Sequence, residues 1–128
     1  MNAYQFGQIA AAVAPAATTG AAGAALQNAT STLLSWTAPD DGQLRAVSLA
    51  AVLDVTVAES GGALALASTA SGSIPATSQT VNAGGGAIGT YVASTSSVVV
   101  GPGATVTLSQ TSALTAGAAT VFAVILAS

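Results

Sequence analysis

The sequence predicts an all-β fold, an antiparallel β-sandwich over residues 29–128 behind an N-terminal arm, and three observations lead there. Residues 44–57 place Val47, Leu49, Ala51, Leu53, Val55 and Val57 at period two, the repeat of a strand with one buried face. From residue 29 onward, short Ser/Thr/Val-rich runs alternate with Gly- and Pro-containing turns, which is the punctuation of a sandwich. The closing run is apolar on both sides, with Val121, Ala123 and Ile125 pointing one way and Phe122, Val124 and Leu126 the other. A strand of that kind has no solvated face. In a two-sheet fold one side meets the core, so the other must meet another chain.

The arm, residues 1–28, contains "IAAAVAPAATTGAAGAAL", apolar enough to suggest a signal peptide or a membrane span. No basic residues precede it, Pro15 interrupts it, and alanine drives insertion only weakly, so neither reading is favoured. Tyr4, Phe6, Ile9 and Val13 instead suggest an ordered arm, partly helical around Ile9 to Val13, that packs outside its own domain. Thr30 to Thr37 then reads as a strand. Residues 44–57 form the clearest one, because their Val/Thr content and sustained alternation outweigh the helical look of "LAAVLDV". "ESGG" reads as a turn, "ALALAST" as a strand, and Ser78 to Val81 as an edge strand behind Pro75. "AIGTYVAST" and "SSVVV" follow as strands. Pro102-Gly103 reads as the centre of a type II turn before "TVTLSQT" and "ATVFAVILA".

Composition narrows the function. Of 128 residues 52% are hydrophobic, yet only 4% are aromatic and much of the remainder is alanine. Alanine buries little area, so one chain has a thin core, and charged residues at 4% leave a surface prone to association. Both point to an oligomer. Arg45 is the only basic side chain and the net charge is -3, which argues against nucleic acid and against an anionic membrane surface as partners. The chain has no Cys, His or Lys. Disulfides, thiolate or imidazole nucleophiles, Schiff bases and phosphate-loop lysines are therefore ruled out, and no enzyme, cofactor or metal is expected.

Three charges nevertheless fall together, at Asp40, Asp41 and Arg45. Adjacent carboxylates do not flank a cleft as glycosidase acids do, and a calcium ion needs more oxygens than Asp54 and Glu59 could add. Pro39-Asp40-Asp41-Gly42 reads as a turn between strands, with Arg45 pairing one of the aspartates or a neighbouring subunit. Gly84-Gly85-Gly86 reads as a surface loop. Asn28-Ala29-Thr30 matches a glycosylation sequon without a secretion signal to support it. Trp36 reads as a core residue, with a carbohydrate-stacking platform as the alternative.

Three segments, in order, resemble the jelly-roll superfamily of tumour necrosis factor and the globular head of the complement first component. Trp36-Thr37-Ala38-Pro39-Asp40-Asp41-Gly42-Gln43-Leu44 resembles its aromatic-Thr-x-Pro-x-x-Gly-x-aromatic opening, with Leu44 in place of the usual tyrosine. Val98–Leu108 is similar to its apolar strand, Gly-containing turn and Val-x-Leu strand, and Val121–Leu126 to its closing strand. The resemblance implies a jelly-roll homotrimer in which Val121, Phe122, Ala123, Val124, Ile125, Leu126, Val47 and Leu49 lie in the sheet nearest the three-fold axis. The chain departs from the family in its scarcity of aromatics and in lacking a collagen-like stalk, a receptor loop or a calcium site. Compact trimers with a "TAP-x-DG" turn and a short arm also resemble decoration or head-fibre proteins of tailed bacteriophages. That likeness implies a trimer on the outer capsid surface of a virion, attached to the major capsid protein through Tyr4, Phe6, Ile9 and Val13. The alternative is a fibre-tip or adhesin-like domain that binds host glycans.

Overall fold

The computed structural model describes residues 21–26, 28–81 and 86–127, and among these it is all-β, with nine strands and no helix. The strands are β1 (Ala21–Ala25), β2 (Ser31–Thr37), β3 (Arg45–Gly61), β4 (Leu64–Ser68), β5 (Thr77–Thr80), β6 (Gly89–Ser94), β7 (Val98–Val100), β8 (Thr105–Gln110) and β9 (Leu114–Ala127). They form two antiparallel sheets in a sandwich-like arrangement, one in the order β1-β9-β3-β6 and the other in the order β2-β8-β4-β5. Strand β7 also pairs β3, taking Arg45–Val47 while β6 takes Ala50–Val55. Between them the Thr95 hydroxyl accepts from the Leu49 N–H at 2.9 Å, so the edge of β3 stays satisfied where its partner changes.

The alternation predicted for β3 is what builds the core. Val47, Leu49, Ala51, Leu53 and Val55 are buried, and they meet Val121, Ala123 and Ile125 of β9 and Val106 and Leu108 of the opposite sheet. Trp36, Leu34, Leu64 and Leu66 complete the interior. Val57 departs from the pattern and is exposed, because an extra residue enters β3 between Val55 and Val57 and breaks the period. The expected turn at "ESGG" also begins later. Strand β3 continues to Gly61, and only Gly62 and Ala63 separate it from β4.

At one end of the sandwich two connections pass side by side between the sheets. Gly61 and Gly62 turn β3 into β4 with φ of 82° and 71°, and Thr111–Ala113 carries β8 into β9 alongside. The two crossings hold each other, Thr111 N–H donating to Ala63 O at 2.8 Å and Gly62 N–H to Ala113 O at 3.2 Å. At the other end the Ala38 N–H donates to Ala104 O at 2.8 Å, joining the β2–β3 turn to the β7–β8 turn. There Gly103 takes φ of 75° and Ala104 N–H returns to Gly101 O, as expected for the Pro102-Gly103 turn.

Strand pairing begins upstream of residue 28, the expected end of the arm. Residues 21–25 run antiparallel to β9, and Leu26 is buried against the core with its N–H on Ala119 O. The edge of β9 would otherwise leave its backbone groups unpaired, and β1 takes them up. Tyr4, Phe6, Ile9 and Val13, the helix expected around Ile9, and Gly84-Gly85 lie outside the described residues.

Candidate functional site: the outer face of the β1-β9-β3-β6 sheet

The eight residues expected at a subunit contact divide between two faces. Val47, Leu49, Val121, Ala123 and Ile125 fill this chain's own core, so their side chains are spent within one molecule. Phe122, Val124 and Leu126 stand on the opposite side of β9, pointing away from the core. Register then adds neighbours that no local pattern brings together. Val52 pairs Phe122 on one side and Val92 on the other, a row three strands wide. Ala50 pairs Val124 and Ser94, and Ser48 pairs Leu126. Val99 of β7 is exposed beside Ala46.

Val92 is 79% exposed, Phe122 46%, Leu126 42% and Val52 37%. Cross-strand aliphatic and aromatic neighbours make one contiguous apolar surface, the kind that marks an interaction site on a soluble chain. Covering half-exposed side chains of this size stabilises a contact by about 1 kcal/mol each. The outer face of the other sheet contrasts with it. There Ser35, Thr107, Ala67 and Ser78 form one row across β2, β8, β4 and β5, hydroxyls and methyls that water covers without penalty. Local alternation identifies Phe122, Val124 and Leu126 but assigns no face to Val92. The Tyr91/Val92 alternation was the available signal. Only the β3–β6 register shows that Val92 joins Phe122.

Asp54 is the one charged side chain among these rows, half-buried between Thr120 of β9 and Thr90 of β6. The other carboxylates lie elsewhere. Pro39–Gly42 forms the expected turn, with Gly42 at φ of 75°. Asp41 Oδ1 accepts from the Gln43 N–H at 3.0 Å, and both its oxygens take the Arg45 guanidinium, at 3.0 and 2.6 Å. The Arg45 hydrogen bonds first, and then the Gln43 N–H, hold the Asp41 carboxyl down to about 2, while the same pair raises Arg45. Because the folded value lies below the unfolded one, this contribution to stability is present above the ordinary carboxylate range and is lost as pH falls toward about 2. Asp41→Asn should therefore lower the urea midpoint slightly at neutral pH and flatten its loss between about pH 4 and pH 2 to the same small extent, since the pair is exposed.

Glu59, near the Gly62 crossing, has a buried Oε2 with no hydrogen-bond partner among the described residues, and burial pushes its carboxyl up. Among the described residues no three His, Cys, Asp or Glu side chains converge as metal ligands would. Trp36 is buried between the sheets, where its ring is closed to a sugar. No helix among the described residues is long and apolar enough to cross a membrane. No family model, curated protein or solved structure matches the chain.

Proposed function

We propose that the chain is a virion structural protein, a jelly-roll homotrimer that decorates the outer surface of a bacteriophage head and reinforces the shell. The exposed Val52–Phe122–Val92 face is the observation that carries the self-assembling part of this reading, since such a surface is stable only when covered. The strand order supports the jelly roll. The chain passes β1, β2, β3, β4 alternately between the sheets, and β8 and β9 insert beside them, giving β1-β9-β3-β6 opposite β2-β8-β4-β5, two interlocked Greek keys. Placement on a phage head rests on the resemblance carried by Trp36–Leu44, Val98–Leu108 and Val121–Leu126.

In this role the protein performs no catalysis and takes no cofactor. Copies hold one another through the outer sheet face, and the N-terminal arm attaches to the major capsid protein, with Tyr4, Phe6, Ile9 and Val13 as the apolar contacts. Bridging neighbouring capsid subunits resists internal DNA pressure, so the mechanism is mechanical. Light scattering of the purified protein should give three times the 12.0 kDa chain mass. Mass spectrometry of purified phage particles should find it in fixed ratio to the capsid subunit, and stripped particles should lose heat resistance. A monomer in solution, or particles free of the protein, would overturn the reading.

A further inference from the structure

We propose that Asp54 makes the copy-to-copy contact acid-sensitive, so that association through this face tightens as pH falls. This rests on the self-assembly reading above and names the residue that regulates it. The occupant argued for is a second copy of this chain. The surface from Ala46 to Asp54 of β3 runs about 27 Å and spans about 15 Å across three strands, a projected area of about 400 Å², at the low end of what one subunit gives to a weak, adjustable contact. Copies that turn this face toward a shared three-fold axis each cover part of it with the neighbour's apolar side chains. The face carries no cation, so nothing on it attracts an anionic partner in preference.

Seating a copy there leaves Asp54 without an answer. Its row neighbours, Thr120 and Thr90, carry no charge, and neither β9 nor β6 offers a titratable group to that side. Arg45 is the only cationic side chain in the sequence. It stands nine residues along β3, about 30 Å away, and is already held by both oxygens of Asp41. The contact must therefore desolvate a carboxylate, bring like charges together, or leave that end of the interface open and wet, and each weakens it. Protonation removes the like-charge repulsion and lessens the other two, because a neutral carboxyl is far cheaper to desolvate than a carboxylate. The other acids act elsewhere: Asp40 and Asp41 sit on the turn at the far end of β3, and Glu59 lies beyond the bulge near Gly62.

The test measures association by sedimentation velocity across a concentration series, at neutral pH and at about pH 4.5, where Asp41 stays ionised. All chains carry Glu59→Gln, so that the partly buried Glu59 carboxyl adds nothing to the pH response. The chain with Asp54 should associate about tenfold more tightly at the lower pH. Asp54→Asn should associate at least that tightly at both pH values, and Asp54→Ser should do the same if Asn disturbs the Thr90–Thr120 row. If Asp54→Asn and the parent associate with the same pH dependence, this inference falls and the face remains the contact. If neither associates at any pH, the copy-on-copy reading falls and takes this inference with it.

Discussion

Ile125→Asp should leave no folded protein, whereas Phe122→Asp, three residues earlier on the same strand, should leave a folded protein that no longer assembles. Ile125 is fully buried between the sheets, opposite Leu49. Aspartate there forfeits about 2–5 kcal/mol of packing and adds the cost of an unpaired buried charge, which together approach the whole stability of a domain, about 5–15 kcal/mol. Phe122 lies on the outer face beside Val52. Its replacement should cost the isolated chain only about 1–2 kcal/mol, through lost cross-strand contact and strand propensity. In an assembly the same change puts a charge at the centre of the apolar row, a place where interfaces tolerate least. Circular dichroism should find the Phe122→Asp chain folded, and light scattering should find it monomeric. An unaltered assembled mass would remove this face from the contact.

Gly117→Ala should be the most damaging single-methyl change in the protein, costing about 3–5 kcal/mol. Gly117 lies in β9 at φ of 87°, opposite the point where β3 carries extra residues. A Cβ there would collide with the Ala58 carbonyl oxygen and come within 2.6 Å of both the Ala58 carbonyl carbon and Glu59 Cα. These are backbone atoms of the paired strand, so no rotamer change relieves the overlap. Left-handed backbone strain and steric displacement then add. Gly42→Ala is the control, with φ of 75° but open space around its Cβ position, and should cost only the conformational part, about 1–2 kcal/mol. Urea midpoints of the two variants separate these contributions. Equal midpoints would mean that β3 moves away from Gly117 freely, and that the bulged β3–β9 pairing is not rigid.

The sequence by itself determined the all-β class, the run of β2, β3, β4, β8 and β9, and the turns at Pro39–Gly42 and Pro102-Gly103. Strand alternation and turn chemistry act over two to four residues and are written locally. Ala21–Ala25 escaped notice because alanine and glycine carry almost no alternation, and their place is set by the open edge of β9. Val57 escaped because a bulge shifts every side chain beyond it, and bulges depend on the partner strand. The doubly apolar β9 announced that both its faces need cover. Which face is filled from within was decided only when β3 and β9 closed on the opposite sheet, burying Ile125 and leaving Phe122 outside. The same folding set Val92, Val52 and Phe122 in one row and placed Asp54 at its margin. Pairing register joins residues some thirty to seventy positions apart, and only tertiary contact can specify that.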